Sequence, residues 1–164
     1  MQINKDINLL TKKEFITIFG IIFEKSEWIA DKTFELRPFK NSEDLINKMV
    51  NIYENTSDKK IKDIFRLHPK LAIDNKLTSF SSSEQESAKL NICSAEELEE
   101  FKNLNTKYEK KFGFPFIIAV KGKDKDEILD SFRIRIKNNL QEEFNEAKIQ
   151  VKKIALFRLN DVLN

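Results

Sequence analysis

The sequence of 164 residues contains little of what stabilises small secreted or metal-bound domains. Its single cysteine, Cys93, excludes an internal disulfide and a cysteine-based zinc site. Only three glycines and three prolines are present, which argues against a turn-rich β architecture and favours helices. No apolar run reaches the length of about 18 residues that a membrane span needs, and the N-terminal MQINKDINLL lacks the core of a signal peptide. We therefore expect a cytoplasmic protein that does not contact the membrane.

The charges are balanced and scattered along the chain. There are 29 basic and 27 acidic residues, for a net charge of +2. A nucleic-acid partner requires basic residues clustered on one face, so the sequence predicts none. With 40% hydrophobic residues and no internal repeat or linker, the chain is predicted to form a single compact domain over residues 1–164 with a sizeable core.

The hydrophobic spacing predicts an all-α fold of about seven to eight helices. Two capping boxes, TKKE from Thr11 and SAEE from Ser94, mark helix starts because each pairs a hydroxyl cap with a glutamate three residues on. The apolar run Phe116 to Val120 is compatible with either a buried strand or an extended core segment. Further helices are predicted to be capped by Ser26 and Ser42 and to cover residues 58–67, 125–138 and 140–162.

The stretch FRLHPKLA contains the only histidine of the chain, His68, followed directly by Pro69. The residue before a proline is disfavoured in a helix, so His68 is predicted to lie just past a helix end. Two interpretations stay open from the residues alone. His68 carries protons near neutral pH, or it is a histidine that only caps the carbonyl groups of the helix end.

A second polar stretch, FSSSEQESA, precedes an expected helix. Ser81, Ser82 or Ser83 is predicted to be its N-cap, which places Glu84 in the first turn beside Gln85. Exposed N–H groups and serine hydroxyls at such a helix start can bind a carboxylate or imide oxygen. The alternative interpretation is an ordinary capped helix start at the surface.

The last predicted helix carries one charged residue on its apolar face. Arg158 continues the stripe that includes Val151 and Ile154, one turn before the stripe ends. A buried arginine needs a partner, whereas an arginine near a helix terminus can also extend its charged end into solvent. Arg135 borders the preceding stripe without interrupting it, and its contribution to a site stays open.

In this order and spacing, the motifs resemble the OHCU decarboxylases, whose full name is 2-oxo-4-hydroxy-4-carboxy-5-ureidoimidazoline decarboxylase. The resemblance covers almost the whole chain. It runs from FGIIFEKSEWIA through RPF, LHPKLA, SSSEQESA and LNTKYEKKFGFPFIIAVKG to RIKNN and EAKIQVKKIALFRL.

The resemblance implies an all-α enzyme, usually a homodimer, that needs no metal or organic cofactor. Its implied reaction is the decarboxylation of a small ureidoimidazoline to (S)-allantoin, the last step of urate degradation. The implied catalytic residues are His68, Glu84 and Arg158. The implied substrate-binding residues are Pro69, Ser81, Ser82, Ser83, Glu84, Gln85, Phe116, Ile117, Ile118, Ala119, Val120 and Arg158.

One departure and one alternative accompany this resemblance. The segment AIDNKLTSF is shorter than the corresponding loop of many relatives, so we expect a shortened surface loop between His68 and Glu84. The alternative function is a helical relative that binds a ureide or a protein without turnover. Such a relative would be expected to have lost at least one of the four key residues, His68, Glu84, Gln85 and Arg158.

Overall fold

The computed structural model describes residues 6–73 and 77–164, and within them the chain is helical. It contains eight α-helices, one short 3-10 helix at Ile7–Leu9 and, in these ranges, no β-strand, which confirms the all-α prediction. The helices are α1 Lys12–Phe19, α2 Trp28–Phe34, α3 Ser42–Glu54, α4 Asp58–Leu67, α5 Ser79–Ser87, α6 Ala95–Phe112, α7 Lys125–Arg135 and α8 Leu140–Leu163.

Both predicted capping boxes are present. The Thr11 hydroxyl accepts the Glu14 N–H while the Glu14 carboxylate accepts the Thr11 N–H, and Ser94 and Glu97 repeat the arrangement at α6. Each box satisfies donors that a helix start leaves unpaired. Helix α6 ends at Gly113, whose φ of +77° is a left-handed conformation that glycine adopts without strain.

Three other predicted serine caps, at the starts of α2, α3 and α5, were wrong. At α3, Asn41 is the N-cap and its side chain accepts the Asp44 N–H, so Ser42 is already the first helical residue. At α2, Ser26 is buried and donates its hydroxyl to Glu24 O instead of capping the helix. At α5, the cap is Thr78, because its side chain accepts the Ser81 N–H.

The cap at Thr78 also moves Glu84 away from the helix start. Helix α5 begins at Ser79, so Glu84 is its sixth residue, and the prediction that it lies in the first turn was wrong. Serine and threonine cap helices almost equally well, so a run of them does not fix which one begins the helix.

The loop before α5 was expected to be shortened. Its residues 74–76 lie outside the described residues.

The chain groups into two compact units, residues 65–151 and residues 1–64 with 152–164. In the first of these, Tyr108 lies at the centre of an aromatic cluster, and its ring contacts those of Phe112, Phe114, Phe116 and Phe132. Buried aromatic pairs contribute more than their apolar area alone. The assignment of residues 1–164 to a single domain stays a prediction.

In the second unit, Phe15 is fully buried and its ring contacts those of Phe19, Phe34 and Phe39. Phe15 and Phe19 are both residues of α1. Their position four residues apart places both on the buried face of the helix.

Candidate active site

His68 lies where the sequence predicted it, at the first position after α4. Helix α4 ends at Leu67, and the His68 N–H donates to Phe65 O at 3.1 Å in the last turn. Pro69 then prevents the helix from continuing. The side chain of His68 is only 8% exposed, so the one histidine of the chain is held against the protein interior.

Helix α5 separates the predicted ligand-contacting residues by face. Ser81 and Gln85 are buried and Glu84 is half-buried, which fits one inward face at steps of three and four residues. Ser82 and Ser83 are exposed on the opposite side. The inward face therefore carries one hydroxyl, one carboxylate and one amide.

Gln85 joins α5 to the turn that follows His68. Its Oε1 accepts the N–H of Ala72 at 3.0 Å, and the side chain is 6% exposed. Since a backbone N–H can only donate, the atom facing Ala72 must be the oxygen, and Nε2 is the remaining donor. Nε2 is buried and has no hydrogen-bond partner among the described residues. Gln85 thus presents an N–H donor for an oxygen acceptor.

The segment Phe116 to Val120 is buried and lies in neither a helix nor a strand. Of the two alternatives that periodicity had left open, the buried strand is excluded. Because an isolated segment has no ladder partner, side chains must satisfy its backbone groups. Gln150 Oε1 accepts the Ala119 N–H at 2.9 Å, and Arg135 donates to Ile117 O at 2.7 Å.

Arg135 belongs to a buried polar network behind this segment. Its Nε and Nη2 donate to Glu143 Oε1 at 3.0 and 2.5 Å, and its guanidinium lies 4.4 Å from the centre of the Phe116 ring. Asn138 donates to the other Glu143 oxygen at 2.9 Å. The Tyr108 hydroxyl also donates to Glu143. Burial and this bond raise the pKa of Tyr108 well above its ordinary value, so the phenol stays a donor.

Arg158 has the buried partner that its position on an apolar stripe required. Its Nη1 donates to Glu24 Oε2 at 3.1 Å and to Ile22 O at 3.2 Å. Both charged side chains are about 2% exposed or less, so Arg158 does not extend into solvent. Arg158 and Glu24 belong to the unit formed by residues 1–64 and 152–164. His68, Ser81 to Gln85 and Phe116 to Val120 belong to the other unit.

Glu24→Gln is expected to lower the free energy of unfolding by about 3 kcal/mol, because it leaves the Arg158 charge buried without its counterion. The exposed Glu27→Gln removes the same charge three residues on and is expected to change stability by less than about 0.5 kcal/mol. Urea unfolding of the two variants measures the difference. Equal free energies of unfolding for the two variants would show that the Glu24 carboxylate does not stabilise the buried charge of Arg158.

Four buried polar residues with side-chain hydrogen bonds to distant segments were missed by sequence reasoning: Glu24, Asn105, Glu143 and Gln150. No signal in the sequence marks Glu24, whose partner lies 134 positions away. Glu143 and Gln150, in contrast, lie four residues before and three residues after Ala147 on the apolar face of α8. Both residues could therefore be recognised from the sequence as polar residues on an apolar helix face, as Arg158 was.

Neither a metal-holding cluster nor a membrane-spanning helix is present in the part of the chain that the structure describes. Residues 6–73 and 77–164 contain no group of three or more His, Cys, Asp or Glu side chains arranged to hold a metal ion. Over the same ranges, no helix has both the length and the apolar character needed to cross a membrane.

The fold places the chain in a class of all-helical proteins with a known representative. A crystal structure of OHCU decarboxylase in the presence of (S)-allantoin superposes with a TM-score of 0.72, at 25% identity over 93% of this chain and 97% of that one. Residues 8–160 match the family described as OHCU decarboxylase. The chain belongs to this family, which confirms the resemblance drawn from the motifs.

Two relatives differ in how much of their own length this chain covers. The 2-oxo-4-hydroxy-4-carboxy-5-ureidoimidazoline decarboxylase of Haloferax volcanii is 35% identical over 94% of this chain and 92% of its own length. A uric acid degradation bifunctional protein of Bacillus sp. (strain TB-90) is 42% identical over 96% of this chain. The chain spans only 32% of that bifunctional protein.

Proposed function

We propose that the chain catalyses the decarboxylation of 2-oxo-4-hydroxy-4-carboxy-5-ureidoimidazoline to (S)-allantoin without a cofactor, as the last step of urate degradation. One observation carries the proposal. The chain matches the family over residues 8–160 and retains all four polar residues that the resemblance assigns to the reaction, namely His68, Glu84, Gln85 and Arg158. A relative that only binds would have no need of the whole set.

The reaction requires one bond cleavage and three proton movements. The bond between the ring carbon and its carboxylate breaks, CO2 leaves, and the electron pair moves into the unsaturated ring, where a ring nitrogen takes up a proton. The hydroxyl on that carbon then loses its proton and becomes a carbonyl. The adjacent carbon, which bears the ureido group, gains a proton and becomes the stereocentre. The protein must therefore stabilise negative charge on the ring and deliver a proton to one face.

His68 is the general acid and base of this scheme. Its ordinary pKa lies near neutrality, so an imidazole can accept the hydroxyl proton and supply the one that the ring takes up. Its buried position at the end of α4 supports the delivery of that proton from one fixed direction. Delivery from one side accounts for a single enantiomer of the product.

Glu84 and Gln85 bind and orient the substrate. The carboxylate of Glu84 is an acceptor that suits the N–H groups of a ureido chain or ring. Nε2 of Gln85, which has no partner within residues 6–73 and 77–164, is a buried donor and suits a carbonyl or carboxylate oxygen. Together they match a molecule in which N–H and C=O groups alternate, as they do in a ureide. A fixed orientation of the reacting carbon lowers the barrier.

The segment Phe116 to Val120 lines the binding site through its backbone. Because Ala119 N–H already bonds to Gln150, a ligand would compete with Gln150 for that donor. Arg158 is assigned to hold the ring system and to stabilise negative charge on it. We also infer a homodimer located in the cytoplasm, on the basis of the resemblance.

The proposal is tested by giving the purified chain its substrate, generated freshly from urate by the two preceding enzymatic steps, and following substrate decay by ultraviolet absorbance. We expect decay well above the spontaneous rate, with one CO2 released for each molecule consumed. Decay at the rate of the no-enzyme control, from folded protein and live substrate, would favour the alternative of a relative that binds without turnover.

A further inference from the structure

Two buried amides hold the peptide group between Leu71 and Ala72 from its two edges. Asn105 Nδ2 donates to the Leu71 carbonyl at 3.2 Å, and Gln85 Oε1 accepts the Ala72 N–H at 3.0 Å. Asn105 is 3% exposed and Gln85 is 6% exposed. Ala72 has a φ of +65°, a left-handed conformation that an alanine adopts only when its surroundings enforce it.

The neighbours of Asn105 fix which way its amide points. Nδ2 also donates to Phe101 O at 2.8 Å, so the atom that faces two carbonyl groups must be the nitrogen. The other atom, Oδ1, is then a buried acceptor without a partner among the described residues. A buried amide with one unpaired atom is destabilising compared with an apolar residue of the same shape. The Nδ2 donor of Asn105 must therefore have a role that an apolar side chain of the same shape, such as leucine, could not fill.

The clamped peptide lies three residues after His68, in the same turn. On the other side of His68, the backbone is fixed by its own N–H, which donates to Phe65 O at 3.1 Å. Pro69 restricts the bond between these two points. The backbone of the histidine is thus held before and after, and Asn105 supplies the contact that reaches the turn from α6.

We propose that Asn105 is a positioning residue, which acts with Gln85 to clamp the Leu71–Ala72 peptide and thereby fixes the orientation of His68. The proposal rests on the proposed function in one respect, namely that His68 is the residue whose orientation matters to turnover. Asn105 itself is assigned no contact with substrate.

The test is Asn105→Leu, which keeps approximately the same volume and removes the donor to Leu71. We expect the Ala72 amide to exchange with solvent about five- to tenfold faster, the effect of losing one hydrogen bond's support. We expect the His68 imidazole resonance, unambiguous because the chain has one histidine, to move by more than its line width in an NMR spectrum. We also expect kcat to fall at least about tenfold while KM changes less.

Thr106→Val is the matched control. Thr106 is exposed and donates its hydroxyl to Lys102 O at 2.9 Å, so the variant loses the same kind of bond to the carbonyl four residues back. It does not reach the turn, and Ala72 exchange, the His68 resonance and kcat are expected to stay at the wild-type values. If Asn105→Leu does not fold, Asn105→Asp keeps the shape, replaces Nδ2 by an acceptor, and carries the same expectations.

The exchange and imidazole measurements need no substrate and decide the clamp by themselves. If both are unchanged in Asn105→Leu, the clamp is refuted. If both change while kcat stays within about twofold of an active wild type, the positioning role is refuted, since misplacement of a catalytic group should lower the rate strongly. An inactive wild-type chain in which both signals change would support the clamp and refute the proposed decarboxylase function instead.

Discussion

His68→Asn is expected to fold normally and to lose at least about 100-fold in kcat, the usual contribution of a positioned general acid or base. Asparagine is polar and suits the end of a helix, and the bond from the backbone of residue 68 to Phe65 O does not depend on the side chain. A side-chain amide, however, does not titrate near neutral pH, so asparagine cannot act as a general acid or base. Steady-state kinetics on the freshly generated substrate, with circular dichroism of the fold, measures the loss.

Lys70→Asn is the control for this variant, because it introduces the same residue two positions later in the same turn. The ion pair of Lys70 with Glu109 at 2.7 Å is partly exposed on both sides, and such pairs contribute about 1 kcal/mol or less. The activity of Lys70→Asn should match the wild type. A His68→Asn variant with full activity would remove His68 from the chemistry.

Arg135→Met is expected to lower the free energy of unfolding by about 3–5 kcal/mol, because it leaves Glu143 as a buried carboxylate without its counterion. The Glu143 side chain is fully buried, so water cannot replace the arginine. Ile117 O loses its donor in the same variant, and we expect lower activity in the molecules that remain folded. Urea unfolding followed by far-ultraviolet circular dichroism measures the stability.

Arg133→Met, two residues earlier on α7, is the matched control. Arg133 also forms an ion pair, with Glu100 at 2.7 Å, but its side chain is 48% exposed. Its loss should therefore cost about 1 kcal/mol or less. Similar costs for the two variants would mean that the buried network does not support the segment Phe116 to Val120 in the way described.

The parts of the fold that depend on local signals were predictable. The two capping boxes, the end of α4 before Pro69 and the end of α6 at Gly113 each depend on residues within one turn of the boundary. The cap of α5 was not, because Thr78 and the serines after it have nearly the same preference for that position. Only the three-dimensional structure decides between them.

The candidate site was predictable where one residue broke a pattern. Arg158 interrupts an apolar stripe, which predicted that it needs a buried partner. The structure identifies this partner as Glu24, which no sequence signal had indicated. Asn105 interrupts the buried series of α6 between Phe101 and Tyr108 in the same manner and was overlooked. A polar residue at an inward helix position can therefore be recognised from the sequence as needing a partner. The identity of a partner in a distant segment can be learned only from the structure.

The central claim is that this chain produces one enantiomer of allantoin. Circular dichroism of the reaction, with the substrate made freshly from urate, measures this directly, because spontaneous decay gives a racemic product without a lasting signal. We predict rapid growth of the (S)-allantoin signal with the wild-type chain and no growth with His68→Asn. A wild-type trace that matches the no-enzyme control, from folded protein and live substrate, would contradict the account.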